Sequence, residues 1–408
     1  MFAEPREAVT EWRGRLSLLT QHLATEATAI QTSLAGGELP TGARRRLEHV
    51  ARANEDQIRR LQVLLAPLGL EQASMTEATH RGIGTRLPTE QGLTNYYVNL
   101  HRDWAWGDEE NRATLEELRA LLGDLKGLGN TLVQGAGAGR LAYDLHGAGD
   151  SALTVATDFN PLLLFAAREL FSGRAVELYE YPIAPRRTED HAVLRRLAAP
   201  APAREGLMLV AADALQPPFA DGVFDTVVTP WFIDIIGEPF TRVAARINLL
   251  LKPGGRWINF GSLAFARAAH AERVTLEEVI ELMPRLGFGD VRTREGSMPY
   301  MRSPASRHAR IENTVSWVAN KVATLVDTPR ARVLPEWLLL PDKPVPRTPA
   351  LEMQAISSRV HAFLLALING ERSQRDMARV LVEQRLMSAD EAAHAVRMFL
   401  ARLHEESE

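Results

Sequence analysis

Apolar positions along the chain follow two different periods. Near the start they recur at helical spacing, with Trp12, Leu16, Leu19 and Leu23 separated by charged and polar residues. The run RRRLEHVARANEDQIRRLQVLLAPLGL keeps the 3.6-residue period until Pro67 and Gly69, where a helix stops. LTNYYVNLHRDWAW is richer in aromatic and polar groups than a packing helix needs. From about residue 128 to 320, short apolar runs alternate with amphipathic ones. TLVQ, ALTVATD, GLMLVAAD, FDTVVTPW and RWINFG read as strands, with RLAYDLHG, PLLLFAARELF and FTRVAARINLLL as helices between them. VTLEEVIELMPRLGFGDVRTREGS adds a helix and a closing strand. This alternation implies a mostly parallel sheet with helices on both faces. The expected organisation is a helical N-terminal region over 1–125 and an α/β domain over 126–325.

The pattern changes again at Pro335, Pro341, Pro344, Pro346 and Pro349, which predict an extended linker over 326–350. A small helical domain is expected over 351–408. There Ser373 precedes Asp376 by three and Ser388 precedes Glu391 by three, the spacing of capping boxes. Leu364, Leu365, Leu367 and Ile368 are expected to pack against Met377, Val380 and Leu381, and against Val396, Phe399 and Leu400. No period indicates a repeat array.

Composition narrows the function. The 408 residues are 46% hydrophobic and 24% charged, ordinary for a chain with a real core. A net charge of −4 gives no basic footprint for nucleic acid. With no cysteine, disulfides, thiolate metal sites and a cysteine nucleophile are excluded. His101, His146, His191, His308, His361, His394 and His404 show no metal spacing and read as surface or satisfied core groups. No apolar run approaches the roughly 18 residues a membrane span needs. The N-terminal stretch lacks the apolar segment of a signal peptide, so a cytoplasmic location is expected.

Candidate chemistry centres on TLVQGAGAGRLAYDL. Gly135, Gly137 and Gly139 follow the first strand directly, where an open parallel sheet binds ligands. Two ligands compete. Gly137, Gly139 and Ala142 fit a dinucleotide fingerprint, while Gly135, Gly137 and Gly139 fit the G-x-G-x-G of an S-adenosylmethionine site. Asp158, about 20 residues on at the end of the second strand, suits the ribose hydroxyls of either. Downstream residues discriminate. Asp213 ends a third strand, where a carboxylate can take an adenine amino group, and LKPGGRWINF places a Pro-Gly-Gly turn before a fifth strand. That order resembles a class I methyltransferase, a Rossmann-like fold with a mostly parallel seven-stranded sheet. The alternatives are an NAD-dependent oxidoreductase and a non-catalytic scaffold, loaded with cofactor, that recruits a peptide partner.

Several phrases resemble the carnosine N-methyltransferase family over roughly residues 90–300. LVQGAGAGRLAYDL is similar to its VPGAGLGRLA wording, RDWAWGDEENR to its RDWS stretch, WFIDII to its FFID element and LLKPGGRWINFGSL to its LKPGG-W-IN-GPL. YEYPI, residues 179–183, stands where the family has Tyr-Pro. Two positions depart: Gln134 replaces a proline, and Ala264, Phe265 and Ala266 occupy the place of an imidazole-contacting histidine, with His270 four residues beyond. The tail resembles small winged-helix domains that hold peptide substrates or leader peptides.

The resemblance implies an S-adenosylmethionine-dependent N-methyltransferase acting on an imidazole or amine nitrogen of a histidine-containing small molecule or peptide. Methyl transfer needs the nucleophile held at about 3–3.5 Å from the sulfonium methyl, and needs no metal. The expected cofactor contacts are Gly135, Gly137, Gly139, Arg140, Asp158, Phe159, Asp213, Ala214, Arg102 and Trp104. Arg102, Asp103 and Trp104 are expected to close over the cofactor or brace its loop, and Arg102 or Arg140 to pair with the methionine carboxylate. Asp234 is the expected catalytic carboxylate, orienting the acceptor and balancing developing charge, with Tyr181 and Tyr300 beside it. The competing role for Asp234 is to cap the following helix. Trp231, Phe232, Asp234 and His270 are the expected acceptor-binding residues. Residues 351–408 are expected to engage a carrier or leader peptide. Neither nucleic acid nor membrane is an expected partner, and a homodimer is among the assemblies this reading admits.

Overall fold

A computed structural model describes residues 20, 23–36, 39–68, 97–123, 127–149, 151–214, 217–236, 238–265, 270–325, 344, 347 and 349–407. Trp12, Leu16 and Leu19 lie outside them, as does most of the proline-rich segment. The chain divides into two units, Met1–Arg332 and Val333–Glu408.

In the first unit, residues 23–36 are helical, followed by α1 (Thr41–Leu65). A short helix α2 (Tyr97–His101) runs into a π-helical turn (Arg102–Trp106), and α3 (Asp108–Leu122) follows. Then come β1 (Gly129–Gln134), α4 (Arg140–Gly147), β2 (Ser151–Asp158), α5 (Pro161–Phe171), β3 (Val176–Glu180), β4 (Val193–Leu197), β5 (Leu207–Ala211) and β6 (Phe224–Pro230). α6 (Phe240–Leu250), β7 (Leu251–Gly261), α7 (Leu276–Leu282), β8 (Phe288–Tyr300) and β9 (Arg310–Lys321) complete it.

Seven strands form one sheet in the order β5-β2-β1-β6-β7-β9-β8. The first five are parallel, and β9 runs antiparallel to both β7 and β8. This is the class I methyltransferase arrangement. Side chains of a strand alternate between faces, so one residue pair per strand feeds two cores. Leu132, Val227, Trp257 and Trp317 pack under α6 and α7, while their neighbours Val133, Val228, Ile258 and Val318 pack under α3 and α4. A third core joins α1, α2 and α5 through Leu61, Leu65, Leu100, Leu163 and Leu170.

Two features extend the strand pattern read from the sequence. β9 is a long strand that the periodicity left unassigned. β3 and β4 form a separate antiparallel hairpin outside the main sheet, with Leu178 paired to Arg195 and Glu180 to Val193.

The described residues of the second unit form α8 (Pro349–Leu367), α9 (Gln374–Glu383) and α10 (Ala389–Ser407), with no strand among them. The Ser373–Asp376 capping box forms, with Asp376 Oδ2 accepting from the Ser373 amide at 3.1 Å and Ser373 Oγ from the Asp376 amide at 3.2 Å; at the next helix Glu391 Oε2 accepts from the Ser388 amide at 2.9 Å. Leu364, Leu367, Met377, Leu381, Ala392 and Val396 make the core. Leu365 and Ile368, expected inside, are exposed: Leu365 stands about 100° round α8 from Leu364, and Ile368 lies just past the end of that helix.

The largest buried side chains lie between the sheet and α6. Trp257 and Trp317 meet edge-on at 5.3 Å, and Phe240 stacks on Trp257 at 5.8 Å. Trp257→Ala would leave a cavity there and is expected to cost about 3–5 kcal/mol; urea unfolding of the two proteins checks it.

Candidate functional site

The carboxyl ends of β1, β2, β6 and β7 meet at one edge of the sheet. The turn after β1 has left-handed backbone at Gly135, Gly137 and Gly139, with φ of 64°, 57° and 80°. Each glycine serves a different need. A Cβ at Gly135 would stand 2.1 Å from the Phe232 ring, and one at Gly139 would stand 2.7 Å from Phe171. At Gly137 a Cβ would meet nothing within 4 Å, so that backbone faces open space. Ala142 is a buried residue inside α4.

Asp158 holds this turn. Its Oδ2 accepts from the Gly137 amide at 2.8 Å and its Oδ1 from the Asn160 amide at 2.9 Å. Burial pushes its pKa up to about 6, against the pull of the Asn160, Gly137 and Phe159 amides. Phe159 follows directly, half-buried at the same edge. Asp213 is exposed just beyond β5. Gln134, where a proline was expected, donates Nε2 to the Ala214 carbonyl at 3.3 Å and so ties the ends of β1 and β5.

The π turn lies against the other side of the glycine loop. Trp104 Nε1 donates to the Ala138 carbonyl at 3.0 Å. Arg140 lies over the Trp104 ring at 5.3 Å; it donates to Asp144 at 2.9 Å, to Asp108 at 3.1 Å and to the Asp103 carbonyl at 2.6 Å. Arg102 pairs with Asp103 at 2.7 Å and donates to the Tyr300 hydroxyl at 2.8 Å. Both guanidinium groups, one or other of which was expected at the cofactor carboxylate, are engaged by protein acceptors.

Beyond β6, Trp231 adopts a left-handed backbone with φ 49°. Its amide donates to the Phe260 carbonyl at 2.6 Å, and its ring lies 4.6 Å from Tyr300. Tyr300 is buried, with Arg102 and Arg310 over its ring at 5.2 and 4.8 Å. Met301, next to it, has φ 55°, and its amide donates to Glu110 at 3.1 Å. Asp234 is buried but caps no helix, since α6 starts six residues later. Its Oδ2 accepts from Ser262 Oγ at 2.5 Å and from the Ala264 amide at 2.9 Å. The carboxylate thus joins the turn after β6 to the loop after β7.

Trp231, Phe232, Asp234 and Tyr300 are brought together with the glycine turn. Tyr181 belongs to another neighbourhood, 6.4 Å from the Tyr179 ring and past the end of β3. Of His270, only its place in a short helical turn at 270–272 is described. His146 is a satisfied core group, bonded to Thr154 at 3.1 Å and the Glu205 carbonyl at 3.0 Å. His101 corrects the sequence reading. It is fully buried, yet neither ring nitrogen has a hydrogen bond of normal geometry. Nothing in the spacing of LHRDW could distinguish it from a satisfied histidine.

The carnosine N-methyltransferase family model matches residues 91–323, more than half of the chain and the whole of the site just described. The chain belongs to the carnosine N-methyltransferase family. It is therefore a methyltransferase with the class I fold, the class whose methyl donor is S-adenosylmethionine, and the oxidoreductase reading falls. Similar solved structures include an S-adenosylmethionine-dependent methyltransferase from Thermotoga maritima, at 16% identity over 55% of this chain and 98% of that one, with a TM-score of 0.32. Another, from Methanosarcina mazei, has 16% identity over 47% and 92%, with a TM-score of 0.31. A phosphoethanolamine N-methyltransferase from Haemonchus contortus, solved with phosphomonomethylethanolamine and S-adenosylhomocysteine, has 17% identity over 58% and 46%, with a TM-score of 0.31. No curated protein matches the chain.

The strand edge fits that donor, with open space at Gly137 and an anionic carboxylate at Asp158 beside it. Two outcomes follow. Gly135→Ala clashes with Phe232 and is expected to lower the melting temperature more than Gly137→Ala, whereas Gly137→Ala is expected to weaken S-adenosylmethionine binding. Thermal melts and calorimetry on both variants test this. Binding should also weaken as pH falls through about 6, because protonated Asp158 accepts one hydrogen bond fewer. The sign for the free protein is opposite: its raised pKa favours the fold at low pH, and that contribution is gone above about 6. Calorimetric titrations from pH 5 to 8 should show the bend for the native protein and none for Asp158→Asn.

Proposed function

We propose that this protein transfers a methyl group to an imidazole or amine nitrogen of a histidine-containing small molecule or peptide. The observation that carries this reading is Asp234, a buried carboxylate held by Ser262 and Ala264 next to an aromatic wall at the donor's edge of the sheet.

Gly135, Gly137, Gly139, Asp158, Phe159, Asp213 and Ala214 line the donor's place. Asp158 accepts from its ribose and Asp213 from its adenine. Bound there, S-adenosylmethionine supplies an electrophilic methyl on a sulfonium. Arg102, Arg140 and Trp104 brace the loop rather than grip the donor, since their polar atoms already have protein partners. Trp231, Phe232 and Tyr300 exclude water from the acceptor and hold its ring flat. Asp234 Oδ2 is occupied by two donors, so Oδ1 accepts the acceptor's N–H. That bond keeps the opposite nitrogen unprotonated and aimed at the methyl. As the nitrogen gains the methyl, Asp234 balances the charge that develops on the ring. Residues 351–408 would present a peptide or carrier-borne acceptor, as a small helical unit with its own core.

Asp234→Asn keeps a carbonyl for the Ser262 and Ala264 donors but removes the charge. It is expected to lower kcat by about 10²-fold or more while leaving the S-adenosylmethionine Kd within about threefold. Mass spectrometry of histidine-containing dipeptides after incubation with methyl-labelled donor supplies the rate. Retained turnover would assign the acceptor role elsewhere.

A further inference from the structure

Charge is spread unevenly over the first unit. The whole chain carries −4, yet residues 181–188 and 298–311 hold five arginines, one histidine and no acidic residue. The fold pairs these two segments. The Arg186 amide donates to the Ala305 carbonyl at 3.0 Å and the Arg307 amide to the Ala184 carbonyl at 2.9 Å, with Pro185 opposite Ser306. Arg186 Nε donates to the Ser306 carbonyl at 2.8 Å, and the Arg307 guanidinium to the Arg186 carbonyl at 3.0 Å.

Like charges so placed repel, and backbone groups rather than ion pairs hold them together. Arg186, Arg187, Arg302, Arg307 and Arg310 are all exposed. Among the described residues, only Arg310 of these five has a carboxylate partner, Glu312 at 2.5 Å. The nearby acids are engaged elsewhere. Glu189 pairs with Arg45, and buried Glu110 accepts from the Met301 and Arg302 amides at 3.1 and 2.9 Å. Both segments contain strained backbone: Ala184 and Met301 are left-handed, with φ of 51° and 55°. Such strain in a non-glycine residue persists only where its surroundings hold it, and it gathers at binding surfaces.

The surface reaches the acceptor wall. Arg310 lies over the Tyr300 ring at 4.8 Å, and that ring lies 4.6 Å from Trp231. Apolar groups share it, since Ile183 and Ile311 are 68% and 74% exposed. A phosphate backbone would leave those isoleucines in water, and neither segment exposes an aromatic ring for a base to stack on. A peptide with both acidic and apolar side chains meets the isoleucines and the guanidinium groups, which have donors left for carboxylates.

We propose that this arginine surface docks an acidic segment of a peptide acceptor, outside the pocket in which the histidine nitrogen is methylated. The proposal rests on the acceptor reading above and narrows it to peptides whose carboxylates, away from the histidine, pair with Arg186, Arg187, Arg302 and Arg307. One exposed pair contributes little, so the surface works by summing several and by steering the approach.

The test is fluorescence anisotropy on the full chain with S-adenosylhomocysteine present. Two labelled peptides share a central histidine and flanking isoleucines, and differ in carrying Glu or Gln at the other positions. At low salt the native protein is expected to bind the Glu peptide at least about tenfold tighter. That preference shrinks as salt screens it. Arg187→Glu combined with Arg302→Glu, at two exposed side chains outside the wall, is expected to abolish the preference without changing the affinity for the Gln peptide; melting curves confirm folding. Equal binding of the two peptides by the native protein, or a preference that survives the double reversal or ignores salt, overturns the docking surface. Single-stranded DNA of equal charge that competes as well as the Glu peptide overturns it too, by making the surface a nucleic-acid one. Methylation of the histidine is read separately by mass spectrometry. A preference without methyl transfer supports the docking surface and refutes the methylation reading, whereas methyl transfer without a preference refutes the docking surface alone.

Discussion

The hydrogen bond from the Gly137 amide to Asp158 is the contact on which the site depends. Parallel strands end with their next turns free to move, and this bond fastens the turn after β1 to the end of β2. The other carboxylate oxygen accepts from Asn160, whose side chain caps α5 through the Leu162 amide at 3.0 Å. One buried carboxylate therefore sets both the glycine turn and the start of the next helix. Its burial raises its pKa, and three backbone amides offset that cost.

The second face of the glycine turn is held from far away in sequence. Trp104 reaches Ala138, and Arg140 closes over Trp104 to the Asp103 carbonyl. The π turn is what aims these groups, since an extra residue per turn shifts side chains off the helical register. The same turn sends Arg102 to Tyr300 and leaves His101 inside. The N-terminal helices therefore build one wall of the site, and the aromatic and polar richness of LTNYYVNLHRDWAW has a physical reason.

Much of this was legible beforehand. The alternation of apolar runs placed β1, β2, β5, β6 and β7, because each strand feeds two cores and must be apolar on both faces. The three glycines and Asp158 were readable because left-handed backbone and a strand-end carboxylate have few substitutes. β9 and the β3–β4 hairpin were not legible, since their strands carry charge and polar groups at many positions. The particular partners of Arg102 and Arg140 were not legible, because a lone arginine in a sequence does not announce which acceptor it will meet.

The sequence by itself determined the parallel strands and the glycine turn, which follow from local period and backbone freedom. Only the tertiary structure decided that Asp234 holds Ser262 and Ala264 instead of capping a helix. It alone paired the segment of Arg186 with that of Arg307 through backbone bonds. Which polar groups meet depends on contacts between elements far apart in the chain, and no local pattern encodes them.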